Sequence, residues 1–254
     1  MLIFLKRVLM RFKWSLLMGL VLLSGCVTKR ENQPFSAACL KEKKTVVIAQ
    51  ISGFQNTHYL KAGVQGVLDV LINNILGKSI EKKLKTLNSK SLIKSDYYKR
   101  FSQYFSRKNI NVVQYFKPIE TDLFKRDLRN EAKHAPRDLA FLKEKFKADY
   151  ALVLDPIAFG IIREYYSFVP LGRPQGYISL FVYMIDLSTN HLEGYFESKV
   201  FVPVTGNWDA DDYSELFEAS KTALRRSLLN SYNYLISSDI DEALDEDLTS
   251  EDSL

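Results

Sequence analysis

The fold follows from residues 150–204, which begin Tyr150-Ala151-Leu152-Val153-Leu154 and are rich in β-branched and aromatic residues. Strand-like runs cover 150–168, with a short break at 155–156, then 177–186 and then 192–204. A Pro/Gly-rich stretch at 169–176 predicts a loop, and Ser188-Thr189-Asn190 predicts a turn. Three such runs joined by short connections predict an antiparallel meander.

The pattern upstream of the meander mixes strands and helices. Apolar β-branched runs predict strands at 44–51 and 110–116, and helical spacing of apolar residues predicts helices at 62–77, 97–109 and 138–146. A capping box at 212–215 begins a final helix. This order predicts one α+β domain at 44–236, with a mixed sheet, a C-terminal antiparallel meander and helices packed on one face. We expect residues 57–96 to be a helical, basic insertion.

The first 26 residues have the organisation of an export signal. The apolar run 14–23 is too short to cross a hydrocarbon core of about 30 Å as a helix, which predicts a secretory signal at 1–25. A basic flank precedes this run and consists of Lys6, Arg7, Arg11 and Lys13. The sequence Leu23-Ser24-Gly25-Cys26 that follows resembles the bacterial lipobox.

That resemblance implies that Cys26 becomes the mature N-terminus and carries a diacylglyceryl group and an N-acyl chain. A thiolate suits this alkylation, and each buried methylene adds roughly 0.8 kcal/mol of membrane affinity. Because Val27 rather than Asp follows Cys26, the resemblance also implies the outer membrane, with the domain in the periplasm. We expect residues 26–43 to be the lipidated cysteine and a polar tether, in which Cys39 is an unimportant free thiol.

Charge and composition exclude one class of function. The signal holds four of the 35 basic residues, so the mature chain has 31 basic against 30 acidic residues. A nucleic-acid-binding protein would retain a basic excess, and export argues against this class as well. The tail 237–254 is acidic without Lys or Arg and is predicted to be disordered.

Two landmarks in the domain resemble a known group of lipoproteins. Residues 146–154 contain Ala148-Asp149-Tyr150 before an apolar run, and residues 184–190 contain Asp186-Leu187-Ser188-Thr189-Asn190. These resemble landmarks of outer-membrane lipoproteins related to the curli secretion lipoprotein CsgG, the penicillin-binding-protein activator LpoB and the N-terminal domain of TolB. The resemblance covers 44–56 and 97–236 and implies a protein partner in secretion or peptidoglycan machinery.

Two surfaces are candidates for binding. Alternate positions of the meander place four aromatic residues on one sheet face, where they either contact a partner or belong to the core: Phe181, Tyr183, Tyr195 and Phe201. Residues 78–108 hold ten basic residues against two acidic ones, among them Lys82, Lys83 and Lys85. This segment either lies against anionic lipid, with the helix 62–77, or is a solvated face.

Signals for catalysis are weak in this sequence. His58, His134 and His191 lie far apart and lack a second ligand at helix or hairpin spacing, so no metal site is predicted. An envelope hydrolase would require Asp149, Asp155, Asp186 or a histidine to converge. The sequence therefore predicts a non-catalytic lipoprotein without a cofactor other than its lipid, with a membrane-surface module as the alternative.

Overall fold

The computed structural model describes residues 31–40, 43–51, 57–64, 82, 95–120, 133–167, 169–208 and 213–251. From Asn32 onward the chain forms one compact unit. After a short 3-10 helix (Ala37–Leu40), its elements are β1 (Thr45–Ile51), β2 (Thr57–Val64), α1 (Ser95–Arg107), β3 (Asn111–Ile119), α2 (Ala140–Phe146), β4 (Tyr150–Tyr166), β5 (Val169–Asp186), β6 (Leu192–Pro203) and α3 (Ser214–Glu251).

Within the described ranges, six strands form one mixed sheet. Its order is β3-β1-β4-β5-β6, and β2 pairs in parallel with the second half of β4. β1 pairs in parallel with β3 and with the first residues of β4, whereas β4, β5 and β6 form an antiparallel meander. The predicted α+β fold, with its mixed sheet and C-terminal meander, is confirmed.

Both faces of the central strands are buried, which explains why β1 is apolar at nearly every position. On one face, Ile48 and Leu152 pack beneath α1 and α3, and these two helices meet through the rings of Phe101 and Tyr232 at 5.8 Å. On the opposite face, Val47 packs in a second cluster with residues of the short helix α2 and the loop before it. The two long helices thus share one face, and α2 covers the other.

Helix α3 lies directly against the meander. A Cβ atom on Gly176 would stand 2.2 Å from the carbonyl carbon of Ala219, so only glycine permits this approach. The Ser220 hydroxyl donates to the Gly160 carbonyl at 3.0 Å and joins the same helix to β4. Small residues on α3 and glycines on the strands therefore bring the helix backbone to the sheet surface.

Two stretches predicted as connecting or inserted segments are strands. Residues 57–64 were expected to begin a helical insertion, but they form β2, because the second half of β4 offers an edge for parallel pairing. The rest of the predicted helix 62–77 lies outside the described residues. Residues 169–176, predicted as a loop, are the first part of β5, and a bulge at 172–174 accommodates Gly172 and Pro174.

The acidic tail also differs from its prediction. Helix α3 continues to Glu251, so residues 237–251 are helical rather than disordered. This stretch contains no Gly or Pro, so no helix-breaking residue interrupts the continuation of α3. Across the described part of the chain, no helix is both long and apolar enough to span a membrane.

Candidate functional site

The segment after the expected lipid site belongs to the domain. Gln33 forms a two-way antiparallel backbone bridge with Tyr195, and the Asn32 side chain accepts a hydrogen bond from the Glu197 backbone N–H at 2.9 Å. Phe35 is buried, and a Cβ atom on Gly194 would meet its ring at 2.5 Å. From Asn32 onward, the stretch that was predicted to be a polar tether is therefore docked on the domain.

Cys39 is buried in this docked segment rather than lying in a polar linker. Its thiol donates to the Ser36 carbonyl at 2.7 Å, and its side chain belongs to the core cluster under α1 and α3. The earlier expectation failed because Phe35, Cys39 and Leu40 are apolar but too few to give a periodic pattern. Cys39 therefore has a packing role.

The four aromatic residues of the meander share one sheet face but not one environment. Tyr183 and Tyr195 are only 1% and 4% exposed, beneath the loop before α2, and Phe181 packs on Tyr195 with ring centroids 5.4 Å apart. Phe201 is 47% exposed and stacks on Tyr177 at 5.0 Å. The prediction of a binding strip is wrong for the two buried tyrosines, and of the four residues Phe201 is the exposed one.

Most of the basic segment lies outside the described residues, including Lys83 and Lys85. Lys82 is exposed. The described portion lies on α1, where Lys99, Arg100 and Arg107 are exposed on the side away from the aromatic core. This face has the properties of a solvated helix surface.

The three candidate aspartates do not share one site, although Asp149 and Asp186 lie at the same end of the sheet, where Tyr150 pairs with Asp186. Asp149 accepts a hydrogen bond from the Thr45 backbone N–H at 2.9 Å at the start of the sheet. Asp186 accepts hydrogen bonds from Ser188 and Thr189 in the β5–β6 turn. Although burial opposes ionisation of Asp186, these bonds hold its pKa below the ordinary value.

Asp155 lies apart from these two, about 20 Å along β4 from Asp149 at the usual strand rise. Burial raises the pKa of Asp155 to about 6, although the Arg137 charge and the Tyr183 hydroxyl oppose the rise. The Tyr183 hydroxyl donates to this carboxyl at 3.4 Å. Among the described residues, Asp155 thus faces the Tyr183 hydroxyl and the Arg137 charge, and neither Asp149 nor Asp186 lies beside it as a hydrolase pair would require.

Two histidines that are distant in sequence are neighbours in the structure. His134 and His191 form an isolated bridge, with ring centroids 5.8 Å apart, and His191 Nδ1 lies 3.1 Å from Glu193 Oε1. This pair joins the loop before α2 to the β5–β6 turn and was missed because the contact is long-range. Among the residues described, no three His, Cys, Asp or Glu side chains are grouped to hold a metal ion.

Several exposed apolar residues lie at the end of the β4–β5 hairpin. We call this region the hairpin end: residues 162–166 of β4, 169–175 of β5 and Phe201 of β6. Tyr166 is 66% exposed, and Val169 and Leu171 are each 48% exposed. A cavity of about 300 Å³ lies beside them, with Ile162, Leu171, Gln175 and Phe201 in its lining. In the sequence, this surface corresponds to the run 165–171, which predicts the end of a strand followed by a loop.

A bulge in the hairpin end positions two arginines. Ile162 pairs with Gln175 and Glu164 with Leu171, so residues 172–174 lie opposite Arg163 alone. Arg163 Nε donates to the Gly172 carbonyl at 3.2 Å, and its guanidinium lies 4.4 Å from the Trp208 ring centroid. Gly172 has a φ of +67°, which favours glycine at this position.

Arg173, at the centre of the bulge, is exposed and donates to the Thr205 carbonyl at 2.7 Å. The hydroxyl of Tyr59, on the neighbouring strand β2, lies 2.9 Å from the hydroxyl of Tyr165 on β4. The pKa of Tyr59 is raised, mainly by burial and to a smaller extent by this hydrogen bond. The region therefore combines a rigid frame of arginines and tyrosines with accessible apolar side chains. Such an arrangement suits contact with a surface rather than proton transfer.

No protein-family model matches this chain, and no characterised protein matches it by sequence. Three solved structures align along most of its length. One is a Xanthomonas campestris protein of the family model DUF330, with 10% identity and a TM-score of 0.37 over 85% of this chain and 96% of that one. Another is a putative neuraminyllactose-binding hemagglutinin homologue from Helicobacter pylori, with 13% identity and a TM-score of 0.33 over 89% of this chain and 97% of that one. The third is the PelC dodecamer from Paraburkholderia phytofirmans, with 10% identity and a TM-score of 0.27 over 79% of this chain and 96% of that one. At these TM-scores the likeness carries no information on function.

Proposed function

We propose that this chain is a non-catalytic cell-envelope lipoprotein that acts as an assembly or regulatory partner of an envelope complex. In this proposal residues 1–25 direct export, and lipid on Cys26 holds the domain at the periplasmic face of the outer membrane. The observation that carries the proposal is the packing of Asn32, Gln33 and Phe35 against β6, immediately after the expected anchor.

The short connection defines how such a protein would work. Cys26 stands six positions before Asn32, and a fully extended chain over six positions spans at most about 20 Å. A lipid on Cys26 would keep the domain within that distance of the bilayer surface. Confinement of this kind raises the effective concentration of the domain for any partner in the same membrane, without any new contact.

The choice of a protein partner is supported by the landmarks at 146–154 and 184–190, which resemble those of secretion and peptidoglycan-machinery lipoproteins. The separation of Asp155 from Asp149 and Asp186 gives an envelope hydrolase no support. Among the described residues, the alternative of a membrane-surface module based on residues 78–108 rests on Lys82 and the exposed basic face of α1. Docking to a protein partner is therefore the function we put forward.

Cross-linking in cell envelopes tests this function. The natural protein is compared with a secreted form in which an ordinary cleavable signal replaces residues 1–25 and Cys26 is replaced by Ala. We expect a specific envelope protein to be cross-linked and co-purified with the lipidated form, and to be reduced at least about tenfold with the secreted form because confinement is lost. Cys39→Ala is the matched control, since that thiol is buried in the core.

Failure to recover any specific protein with the lipidated form would contradict the partner role. Equal recovery with the secreted form would contradict the role of the anchor. Recovery that falls equally in Cys39→Ala would show that the effect comes from lost stability rather than lost lipid.

A further inference from the structure

We propose that the hairpin end lies in the headgroup region of the bilayer that holds Cys26, with anionic phospholipids as its partner. This inference rests on the lipid anchor of the proposed function. It adds a second attachment point and thereby an orientation of the domain. The surfaces on α1 and on the outer side of α3 would remain available to a protein partner.

The apolar side chains of the hairpin end are arranged for shallow insertion. Tyr166, Val169 and Leu171 occupy the last positions before and after the turn that joins β4 to β5, at the extremity of two strands of 17 and 18 residues. Tyrosine has an apolar ring with a polar tip, which suits the boundary between headgroups and acyl chains. Their exposure at the extremity of a hairpin lets them enter the bilayer without unfolding the core.

The charges around these side chains complement anionic phosphate. Arg163 and Arg173 lie in the hairpin end, and Lys61 lies on the adjoining strand β2, where it pairs with Arg163. The acidic residue within the hairpin end as defined is Glu164, so cations outnumber anions there. The hydrogen bonds to Gly172 and Thr205 fix both guanidinium groups at the bulge. Arginine presents several donors in one plane and binds phosphate oxygens well, which favours lipid headgroups over a neutral surface.

The described N-terminal segment runs along β6 in the direction of this region when it is followed backwards from Ser36. This segment is hydrogen-bonded to β6 at three points: Ser36 to Glu193, Gln33 to Tyr195, and Asn32 to Glu197. As residue numbers fall from 36 to 32, the partners on β6 rise from 193 to 197, so the segment runs antiparallel to β6. The same direction leads to Phe201, about 13 Å beyond Glu197 at the usual strand rise. Six further residues reach back to Cys26, so one membrane can hold the lipid and contact the hairpin end.

The backbone of the hairpin end disfavours a different occupant, an added β-strand from another protein. β6 pairs with β5 only from Gln175 onward, which leaves residues 169–174 beyond the end of the β5–β6 ladder. Pro170 and Pro174 have no N–H to donate, and the bulge at 172–174 interrupts the edge. A lipid surface does not need a regular row of backbone donors.

Depth-dependent quenching tests the orientation in the lipidated full-length mature protein. A single cysteine is placed at position 169 or 171, labelled with an environment-sensitive fluorophore, and reconstituted in vesicles of phosphatidylcholine with phosphatidylglycerol that carry nitroxide-labelled lipid. Cys39 is fully buried and Cys26 is acylated, so labelling is confined to the new site. Matched labels replace Phe116, 57% exposed on β3, and Leu229, 43% exposed on α3.

We expect lipid-borne nitroxide to quench the labels at 169 and 171 severalfold more than those at 116 and 229. Equal quenching at all four positions would overturn the proposal. A further label at Lys99 tests the basic face of α1, and stronger quenching there than at 169 would also overturn it.

Vesicle binding separates this inference from the lipid anchor itself. The chain from residue 26 onward with Cys26→Ala carries no lipid, and we expect it to bind phosphatidylglycerol vesicles in a salt-sensitive manner. Arg173→Gln should weaken binding about fivefold and Val169→Glu at least about tenfold, because one cation is lost or an anion is added at the surface. Arg226→Gln, an exposed arginine on α3, is the control and should change binding less than twofold.

Absence of vesicle binding by the unlipidated chain would overturn the hairpin contact, whatever the state of Cys26 in cells. Equal losses for Arg173→Gln and Arg226→Gln would overturn it as well. An unmodified Cys26 in the natural protein would instead overturn the anchor, and mass measurement detects that independently.

Discussion

The two halves of the β4–β5 hairpin differ in what covers them. In the first half, Tyr150 to Ile161 on β4, alternate residues pack under α1 and α3 on one face, and Ala151 and Val153 pack against the α2 region on the other, while Ile157 is 50% exposed. The second half, the hairpin end, uses the same two strands but exposes Tyr166, Val169 and Leu171. Strands of 17 and 18 residues are about three times the usual length, so the extension exceeds what the core requires. We infer that the packed half supplies stability and the hairpin end supplies contact.

The largest expected difference between the halves comes from truncating one leucine in each. Leu180 is fully buried and Leu171 is about half exposed. Leu180→Ala should lower the free energy of unfolding by about 3 kcal/mol, because it leaves a cavity, whereas Leu171→Ala should lower it by less than about 0.5 kcal/mol. Urea denaturation measures both. Similar losses for the two variants would show that the hairpin end contributes to the core after all.

The buried carboxyl of Asp155 makes the packed half sensitive to pH. Because burial raises the native pKa of Asp155 to about 6, the native state keeps a proton that the unfolded chain releases near its ordinary pKa. Stability from this group is highest below about pH 4 and falls as pH rises through about 6. We expect the unfolding free energy to fall by about 2 kcal/mol between about pH 4.5 and pH 7.

Asp155→Asn should remove that dependence and stabilise the protein by about 2–3 kcal/mol above pH 7. Denaturant titrations at a series of pH values provide the measurement. Asp186→Asn is the control, since hydrogen bonds from Ser188 hold the pKa of Asp186 low and its contribution changes only in more acidic solution. A pH slope that persists in Asp155→Asn would assign the dependence to other groups.

Two glycines of β5 are required for different reasons, Gly176 for close packing against α3 and Gly172 for its backbone conformation. At Gly176 a methyl group would collide with the α3 backbone at Ala219, whereas at Gly172 nothing lies within 4 Å. Gly176→Ala should lower the free energy of unfolding by about 2 kcal/mol or more. Gly172→Ala should lower it by about 1 kcal/mol, from its positive φ alone. Thermal denaturation measures the loss of stability in both variants. A larger loss for Gly172→Ala than for Gly176→Ala would mean that the tight contact is not at Gly176.

The smallest effect is expected at the boundary of the two halves. Phe201 stacks on Tyr177 but is nearly half exposed. Phe201→Ala should therefore lower the free energy of unfolding by less than about 1 kcal/mol, close to the value of one aromatic pair. A loss above about 3 kcal/mol in urea denaturation would mean that Phe201 belongs to the core rather than to the hairpin end.

Sequence patterns predicted the elements whose signal is local. β1, β3 and the meander were visible as apolar β-branched runs, and α1 as an aromatic stripe at helical spacing. β2 was missed because its pairing with residues 159–166 of β4 depends on a partner about one hundred residues away. The start of β5 was missed because Gly172 and Pro174 indicate a loop unless a bulge is known to accommodate them.

The candidate site was less predictable than the fold. The alternation of Phe181, Tyr183 and Tyr195 gave the correct face, but only the tertiary structure shows that α2 and its preceding loop cover it. The pairing of His134 with His191 and the positions of Arg163 and Arg173 are likewise long-range. Exposure at Tyr166 and Leu171 depends on where the helices stop, which the strand pattern does not encode.

The intact mass of the mature protein, extracted from membranes, tests the central claim most directly. The account predicts a chain that begins at Cys26 and carries the added mass of a diacylglyceryl group and one N-acyl chain on that residue. A mature chain that begins elsewhere, or an unmodified Cys26, would contradict it and would remove the short tether from which the membrane orientation follows.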